Sequence, residues 1–256
     1  PDVLSPRLEL CLDSTLDIGT FGRVRQRLER WIEGWIGRWL APLRALERAS
    51  RDSKLGGAAR GIAFRLAEQL GTLDRVEASS LLPTLSDADR RVLGRLGVRF
   101  GMHHLYLPAL LKPAANEARA RLLRVYRGRA IPLPPPGRTV LRPASEDLLM
   151  LGFASFDGFA LRVDILERIA ARIRAQARTA TTFDVPPTLA AEAGLARNEL
   201  SVVVETLGFR PVGDAGVASF TRPATRRRER EQPRRVPSAG PAGSPFAVLA
   251  RLRVAP

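Results

Sequence analysis

The sequence of 256 residues predicts a mainly α-helical protein with small β elements, an α+β chain. Three observations lead to this prediction. Apolar residues recur every three or four positions through long segments, which is typical of amphipathic helices. After residue 163 the predicted order is helix, helix, helix and then two short strands, which is the order of a winged helix. The residues after 221 are rich in proline, glycine and arginine, which predicts a disordered basic tail.

The N-terminal part predicts a short strand followed by a long helix. Leu8, Leu10 and Leu12 alternate with less hydrophobic residues, which indicates a half-buried extended segment. Within residues 21–50 the apolar spacing predicts an amphipathic helix that Pro42 should kink or divide. Because the chain begins at Pro1 rather than at methionine, we expect it to be a fragment or a processed chain.

Three tryptophans, Trp31, Trp35 and Trp39, fall on one face of this long helix. Aromatic residues at helical spacing usually pack into a core, and we favour that interpretation. The alternative is a platform on which the bases of a nucleic acid stack.

Two further helices are predicted before the middle of the chain. Small residues between Gly57 and Ala63 should let the first approach a neighbour closely, and Gly71 is suited to end it. Ser86 and Asp89 have the spacing of an N-terminal cap for the second helix, with aspartate in place of the usual glutamate. That helix should end before Gly97.

The stretch over residues 93–115 is strongly apolar and should be buried. Its β-branched and aromatic residues predict a short extended segment over 98–106, which Pro108 ends, followed by a helix over 114–127. Four polar residues interrupt the stretch: Arg99, His103, His104 and Lys112. We expect each of them to lie at a rim or to make a specific contact.

Proline-rich residues separate the two halves. The sequence IPLPPP at 131–136 predicts a stiff, polyproline-like linker, and we place a domain boundary there. The predicted divisions are a helical body over 1–130, a linker over 131–144, a winged-helix-like unit over 145–221 and a disordered, arginine-rich tail over 222–256.

The winged-helix-like unit should open with a hairpin, because Asp157-Gly158 is a strong turn signal between apolar runs. The predicted elements are strands at 149–153 and 159–163, helices at 164–178, 189–194 and 197–207, and strands at 209–212 and 217–221. The second and third helices form a helix-turn-helix about a tight turn. Residues 246–254 predict a short amphipathic segment that docks on the body or on a partner.

The charge is strongly and unevenly basic. The net charge is +15, and from Arg222 onward nine arginines and two glutamates give +7. Such an excess predicts a polyanionic partner, most often a nucleic acid, because guanidinium groups bind phosphate as a planar fork. The alternative is a solubilising tail with no specific partner.

Motifs for catalysis or metal binding are weak. The sequence contains no Gly-x-x-x-x-Gly-Lys-Ser/Thr, so it holds no recognisable motor for nucleotide hydrolysis. His103 and His104 are adjacent and make a poor metal pair, and with the single cysteine, Cys11, no closed zinc site is available. His103 and His104 are expected to have a structural role or to contact RNA. Cys11 has no activating neighbour in sequence.

Two carboxylates at helical spacing, Asp164 and Glu167, lie beside Arg162 and Arg168. Salt bridges explain this arrangement more simply than catalysis does. No apolar run approaches the ~20 residues that span a bilayer, and no signal peptide is recognisable. One cysteine fits a reducing compartment, so we expect a cytoplasmic protein with no membrane partner.

Several segments resemble a known family. They are Leu-Gly-Val-Arg-Phe-Gly at 96–101, Tyr-Leu-Pro-Ala-Leu-Leu-Lys-Pro at 106–113, Gly-Ala-Ala-Arg-Gly-Ile-Ala-Phe at 57–64, Leu-Arg-Val-Asp-Ile-Leu-Glu-Arg at 161–168 and Ser-Pro-Phe-Ala-Val-Leu at 244–249. Together they resemble the C-terminal region of the Suv-type ATP-dependent RNA helicases of mitochondria and alphaproteobacteria, which are superfamily-two motors. The resemblance implies a bacterial parent that couples ATP hydrolysis to RNA unwinding, with its motor upstream of Pro1.

Three functional hypotheses follow. The first is a non-catalytic C-terminal accessory region of such a helicase, which contacts RNA and the motor in cis. The second is a free-standing winged-helix nucleic-acid binder. The third is a protein-interaction module of an RNA-degradation assembly, with a ribonuclease as partner. No cofactor is expected in this chain, because the resemblance assigns ATP and magnesium to the upstream motor.

The candidate nucleic-acid-binding residues are those that offer exposed donors to phosphates or bases. In the tail they are Arg222, Arg226, Arg227, Arg228, Arg230, Arg234 and Arg235. In the body they are Arg99 and Lys112, and at the start of the predicted recognition helix they are Arg197 and Asn198. That helix is poor in base-reading donors, so the tail is expected to contribute more to affinity.

Overall fold

The computed structural model describes residues 3–10, 18–131, 133–212 and 219–222. Within them the fold is mainly α with small β elements, as the sequence predicts. The helices are α1 (Ile18–Trp39), α2 (Ala41–Arg51), α3 (Gly57–Glu68), α4 (Asp87–Arg95), α5 (Pro113–Arg127), α6 (Val163–Thr179), α7 (Pro187–Ala193) and α8 (Arg197–Thr206). Three 3-10 helices lie at Leu82–Thr84, Pro108–Leu111 and Glu146–Leu151. No described helix has the length and apolarity that crossing a membrane requires.

The strands form small antiparallel sheets. They are β1 (Thr72–Asp74), β2 (Arg99–Phe100), β3 (His104–Tyr106), β4 (Val140–Leu141), β5 (Phe153–Ser155), β6 (Ala160–Arg162), β7 (Thr182–Asp184), β8 (Arg210–Pro211) and β9 (Ser219–Thr221). Each sheet has three strands, in the orders β1-β3-β2, β4-β6-β5 and β7-β9-β8. The predicted N-terminal strand is absent from residues 3–10, whereas Cys11 and Leu12 lie outside the described part of the chain.

The predicted long helix is divided at Leu40, which is fully buried and precedes Pro42 in the first turn of α2. Proline is accepted there because the first helical N–H groups need no partner within the helix. The tryptophan prediction is wrong for Trp31, which is 64% exposed. Trp35 and Trp39 are half-buried and pack against the core. The N-terminal half of α1 therefore projects further from the body than the periodicity predicts.

Small residues let α3 pack closely, as predicted. Ala59 and Ala63 are fully buried in the first hydrophobic core. Gly71 follows α3 with φ 95°, and its N–H donates to the carbonyl of Leu66 at 2.7 Å. A side chain at Gly71 would collide with Leu110, so only glycine fits.

Local signals set both ends of α4. The hydroxyl of Ser86 accepts a 3.1 Å hydrogen bond from the N–H of Asp89, which confirms the predicted cap, and Gly97 follows α4 with φ 92°. Residues 98–106 form a hairpin, β2 and β3, rather than one extended segment. Val125, near the end of α5, is 66% exposed.

The segment predicted to be a linker contributes to both cores. Ile131 is buried in the first core, and Val140 in β4 is buried in the second. The hydroxyl of Thr139 donates to the carbonyl of Ala193 at 2.9 Å. Arg142 holds Glu199 of α8 through two hydrogen bonds of 2.8 and 2.6 Å. These contacts attach the segment to the turn between α7 and α8.

The hairpin at Asp157-Gly158 forms as predicted, with Gly158 at φ 75°. Its strands are shorter than predicted, because Leu149 lies in the 3-10 helix before them. Phe153 of β5 is buried in the first core, whereas Leu161 of β6 is buried in the second. The hairpin thus joins the two hydrophobic cores.

The elements of the second half follow one another in the predicted order of helices and strands. α6, β7, α7, α8, β8 and β9 follow one another, and β9 lies between β7 and β8. The sequence did not predict β7, which pairs Phe183 with Phe220. Phe183 also meets Phe209 edge to face at 5.3 Å, and Phe220 is buried to 2% exposure. The predicted tail and terminal amphipathic segment, residues 223–256, lie outside the described residues.

Candidate nucleic-acid interface

A cleft of about 830 Å³ lies between the helical body and the winged-helix unit. One wall comes from the β1 region and the turn of the β2–β3 hairpin, and the other from the 153–162 hairpin, α6 and the end of α8. The lining residues that matter below are His103, Phe156, Asp74, Arg75, Leu166 and Leu207. A concave, largely apolar surface with a few polar groups is the usual form of a ligand site.

The hairpin turn in this cleft is held by one carboxylate of α6. Glu167 accepts hydrogen bonds from the backbone N–H groups of Met102, His103 and His104, at 2.5, 2.9 and 2.8 Å. These N–H groups lie in the turn and need a partner once buried. The sequence predicted that Asp164 and Glu167 would form salt bridges with the adjacent Arg162 and Arg168. Asp164 does so with Arg162 at 2.6 Å, whereas the described contacts of Glu167 are with the hairpin turn and His104.

The environment of Glu167 keeps it ionised. Burial acts to raise the pKa of Glu167, but the His104 imidazole and the three backbone N–H groups outweigh it, and the pKa lies below its usual value. The Nδ1 atom of His104 is 3.5 Å from the carboxylate, which is long for a hydrogen bond. The backbone N–H groups therefore contribute most of the contact with Glu167, and its carboxylate orients the turn.

His103 presents an unsatisfied imidazole at the cleft. It lines the cleft, and its Nε2 atom is buried with no hydrogen-bond partner among the described residues. Burial lowers the pKa of His103, and the positive charge of Arg174 lowers it further, although Glu167 opposes both. The ring is therefore neutral at pH 7, with one donor and one acceptor nitrogen.

A depression of about 420 Å³ lies beside the cleft, and Leu207 lines both. Three arginines surround it: Arg174 and Arg178 from α6, and Arg222 after β9. Arg222 also donates to the carbonyl of Ala177 in the last turn of α6. No described carboxylate forms an ion pair with any of the three, so their charge is available to an anion. We refer to this feature as the arginine depression.

The sequence-predicted site residues are scattered. Arg99 lies exposed on β2, and Lys112 is exposed just before α5. Arg197 and Asn198 are exposed in the first turn of α8. Only Arg222 belongs to the arginine depression, and none of the other four lines it or the cleft. Arg226, Arg227, Arg228, Arg230, Arg234 and Arg235 lie outside the described residues.

The exposed face of α8 is poorly suited to a major groove. Glu199 is bound by Arg142, which neutralises both charges. Further along, Val202 and Glu205 are exposed. A helix that reads base edges needs several donors, and a carboxylate repels phosphate. Arg197 and Asn198 are therefore the only exposed guanidinium or amide donors that α8 offers to base edges among its described residues.

The residues missed by sequence reasoning share one feature: their role depends on the fold. Arg174 and Arg178 are four residues apart on α6, which places them on one face, and that spacing was the signal available. Glu167 was noticed, but salt bridges with adjacent arginines were expected instead of its contacts with the hairpin turn. Among the described residues no group of three or more His, Cys, Asp or Glu side chains is arranged to hold a metal ion.

Comparisons with known proteins identify no relative. No family model matches the sequence, and no curated protein and no solved structure matches it either. The function is therefore argued from the cleft, the arginine depression and the charge of the chain.

Proposed function

We propose that this chain is a non-catalytic accessory region of an ATP-dependent RNA helicase and that it binds single-stranded RNA. The observation that carries the RNA-binding part is the arginine depression, which three arginines line without an ion pair to any carboxylate in the described part of the chain. Guanidinium forks bind phosphate oxygens in two-point contacts. The helicase part rests on the sequence segments that resemble the Suv-type family.

The strand that fits this surface is single rather than double. The cleft and the arginine depression are both concave, and Leu207 lines both. A single strand can follow such a path with its phosphates on the basic part, as in other non-specific single-strand sites. A duplex would need a protruding element with several donors, whereas the only exposed guanidinium or amide donors of α8 are Arg197 and Asn198 at its start, followed by Val202 and Glu205.

Binding of a short oligoribonucleotide, about 12 nucleotides long, tests the proposal, since single-strand sites cover about 4–16 nucleotides. The double variant Arg174→Ala, Arg178→Ala should lower the affinity and flatten its dependence on salt. Arg25→Ala, Arg121→Ala is the matched control, because both arginines are exposed and each is paired with a glutamate one turn away. Equal losses in the two variants would show a purely global charge effect and would refute the site.

The same measurement separates the free-standing winged-helix hypothesis from the helicase hypothesis. A regulator that reads duplex DNA should bind a DNA duplex more tightly than single-stranded RNA at equal salt. We expect the reverse order. Tighter binding of duplex DNA, lost with Arg197→Ala, would make the winged helix the reader and overturn our proposal.

A second candidate function, protein contact within an RNA-degradation assembly or with the motor, is favoured by one surface on which two aromatic residues are exposed among polar and charged ones. Phe64 on α3 is 52% exposed and Tyr126 on α5 is 40% exposed, and both line one depression of about 620 Å³. Exposed aromatic residues of this kind often mark protein interfaces. Phe64→Ser, Tyr126→Ser should weaken co-elution with a ribonuclease or with the separately expressed motor. Val202→Ser, at an exposed apolar site on α8 that lines neither this depression nor the cleft, is the control.

A further inference from the structure

The cleft beside the arginine depression has features that phosphate binding alone does not need. Its lining includes an aromatic ring, Phe156, and an imidazole, His103, set among apolar side chains such as Leu166. Its volume of about 830 Å³ is that of a site for a compact ligand. Among the described residues that line it, Asp74 and Arg75 contribute one charge of each sign.

The ring of Phe156 is held in one orientation. It stacks on Phe159 with 5.1 Å between ring centroids and 11° between ring planes. Phe159 is buried to 2% exposure, so it forms a rigid base for the half-exposed Phe156. A fixed aromatic ring at the edge of a cleft is the element on which nucleic-acid bases stack.

His103 provides a polar contact in the same cleft. An imidazole nitrogen without a hydrogen-bond partner in a buried position is unfavourable, and a ligand that supplies the partner removes that cost. Rotation about the bond to the ring is soft, so a nitrogen can turn toward the cleft. A neutral imidazole, with one donor and one acceptor, complements the donors and acceptors at the edge of a base.

We propose that this cleft takes an unstacked base of the single RNA strand, stacked near Phe156 and hydrogen-bonded to His103, while neighbouring phosphates lie on the arginine depression. The proposal rests on the proposed RNA binding and goes beyond it by assigning a base site. A peptide segment is the other occupant that an apolar cleft suggests. The three adjoining arginines without carboxylate partners favour a ligand that carries phosphates.

The experiment compares two ligands of equal length, an oligoribonucleotide and the same ribose-phosphate chain without bases. The unsubstituted chain should bind the base-containing strand about tenfold more tightly, in line with the stacking of one base. Phe156→Leu keeps an apolar side chain and should abolish most of that ratio. His103→Gln should reduce it in part. Phe21→Leu removes an exposed aromatic residue elsewhere and should leave the ratio unchanged.

Each result has a defined meaning. If Phe156→Leu and His103→Gln both fold and keep the full ratio, the base site is refuted, while RNA binding by the arginine depression stands. If neither ligand binds the unsubstituted chain, the proposed RNA binding fails as well. If Phe156→Leu instead weakens only the co-elution with the motor, the cleft is a protein site and the base assignment is overturned.

Quenching of a fluorescent adenine analogue gives an independent test, because stacking on an aromatic ring lowers its emission. Quenching should occur on binding to the unsubstituted chain and be lost with Phe156→Leu. It should persist, at higher protein concentration, with Arg174→Ala, Arg178→Ala, since those changes weaken phosphate contacts only. Quenching that is unaffected by Phe156→Leu would place the base elsewhere.

Discussion

The guanidinium group of Arg119 donates a 2.9 Å hydrogen bond to the carbonyl oxygen of Leu70, a buried leucine in the left-handed region at φ 50°. Leucine adopts this region at a cost, which must be offset by its surroundings. Arg119 provides part of that offset by fixing the direction of the carbonyl. The strained backbone of Leu70 after α3 and the buried charge of Arg119 in α5 therefore stabilise each other.

Arg119 also donates to the carbonyl oxygens of Leu110, Met150 and Leu151, at 2.8, 3.2 and 3.0 Å. Burial lowers the pKa of Arg119 to about 9, which still leaves it protonated at neutral pH. Its charge is satisfied by carbonyl dipoles instead of a carboxylate. The side chain thus ties α5 and the end of α3 to the segment that leads into the 153–162 hairpin.

The first prediction concerns this residue. Arg119→Met should lower the free energy of unfolding by about 3–5 kcal/mol, because four buried carbonyl groups lose their donor. Arg121 lies two residues further along α5 and is exposed, so Arg121→Ala should change the free energy of unfolding by less than about 0.5 kcal/mol. Urea denaturation of both variants measures the difference. Equal stability of the two variants would show that water replaces the guanidinium without cost.

The second prediction concerns the contact between α6 and the hairpin turn. Glu167→Gln keeps the shape of the side chain but loses its charge, and one amide oxygen must serve three N–H donors. We expect a loss of about 1–3 kcal/mol, the usual cost of unsatisfied buried groups. Glu117→Gln, an exposed control, should be nearly neutral. Amide hydrogen exchange should rise at Met102–His104 in the first variant only.

The third prediction concerns Gly101. A Cβ atom there would lie 2.5 Å from the carboxyl carbon of Glu167 and 2.6 Å from the carbonyl oxygen of His104. Gly101→Ala should therefore displace the carboxylate and destabilise the hairpin. Because both changes act on the same contact, the effects of Gly101→Ala and Glu167→Gln should sum to more than the effect of the double variant. Strict additivity would show that the two positions are uncoupled.

The fourth prediction is a dependence of stability on pH. The pKa of His103 lies below its ordinary value of 6.5 in the fold, so the unfolded chain takes up a proton first as the pH falls. Above pH 6.5 this residue has no effect on stability, and below it the folded state loses stability. Glu167, whose pKa is also lowered, adds a second loss that begins near 4.5. His103→Gln should remove the first loss and leave the second.

How much of the fold the sequence predicts depends on how local its causes are. The Ser86 cap, the glycine after α4 and the Asp157-Gly158 turn are all local, and each forms as predicted. The strand β7 was missed because its residues pair with β9 nearly 40 positions later, and no local pattern marks them. The charge on Glu167 was assigned to a neighbour in sequence, whereas its partners lie more than 60 residues away.

The candidate site illustrates the same limit. The basic charge of the chain is visible in the composition, but its placement beside the cleft depends on tertiary packing. Arg174 and Arg222 are 48 residues apart in the sequence and meet only because β9 returns to the end of α6. Sequence reasoning selected Arg222 for its tail position, and the fold places it in the arginine depression for a different reason.

A fifth prediction separates two tryptophans of α1. Trp31→Ala should change the free energy of unfolding by less than about 0.5 kcal/mol, because the ring is 64% exposed. Trp35→Ala should lower the free energy of unfolding by more than Trp31→Ala does. Because Trp35 is only half-buried, the loss should stay below the value of about 3–5 kcal/mol that is usual for a fully buried tryptophan. Thermal denaturation of the two variants, compared with the unsubstituted chain, tests this order. A large loss for Trp31→Ala would show that α1 is covered in solution, for example by another copy of the chain.

The remaining experiment concerns the tail and where to cut it. Removing residues from 221 onward would damage the winged-helix unit, because Thr221 is part of the central strand β9 and Arg222 bonds Ala177. A cut after Arg222 avoids this and still removes eight arginines and two glutamates, a net charge of +6. Unchanged thermal denaturation of residues 1–222 should verify that the fold is retained.

The truncated chain should then bind RNA more weakly and with a flatter dependence on salt, since each lost phosphate contact on a single strand reduces the slope by about 0.7. Arg197→Ala, Asn198→Ala in the full chain should do much less, because these residues lie apart from the arginine depression. Adding Arg174→Ala, Arg178→Ala to the truncated chain should remove most of the remaining affinity. If the truncated chain binds as tightly as the full chain while Arg197→Ala, Asn198→Ala abolishes binding, α8 is the RNA-binding element and the tail and the arginine depression are not.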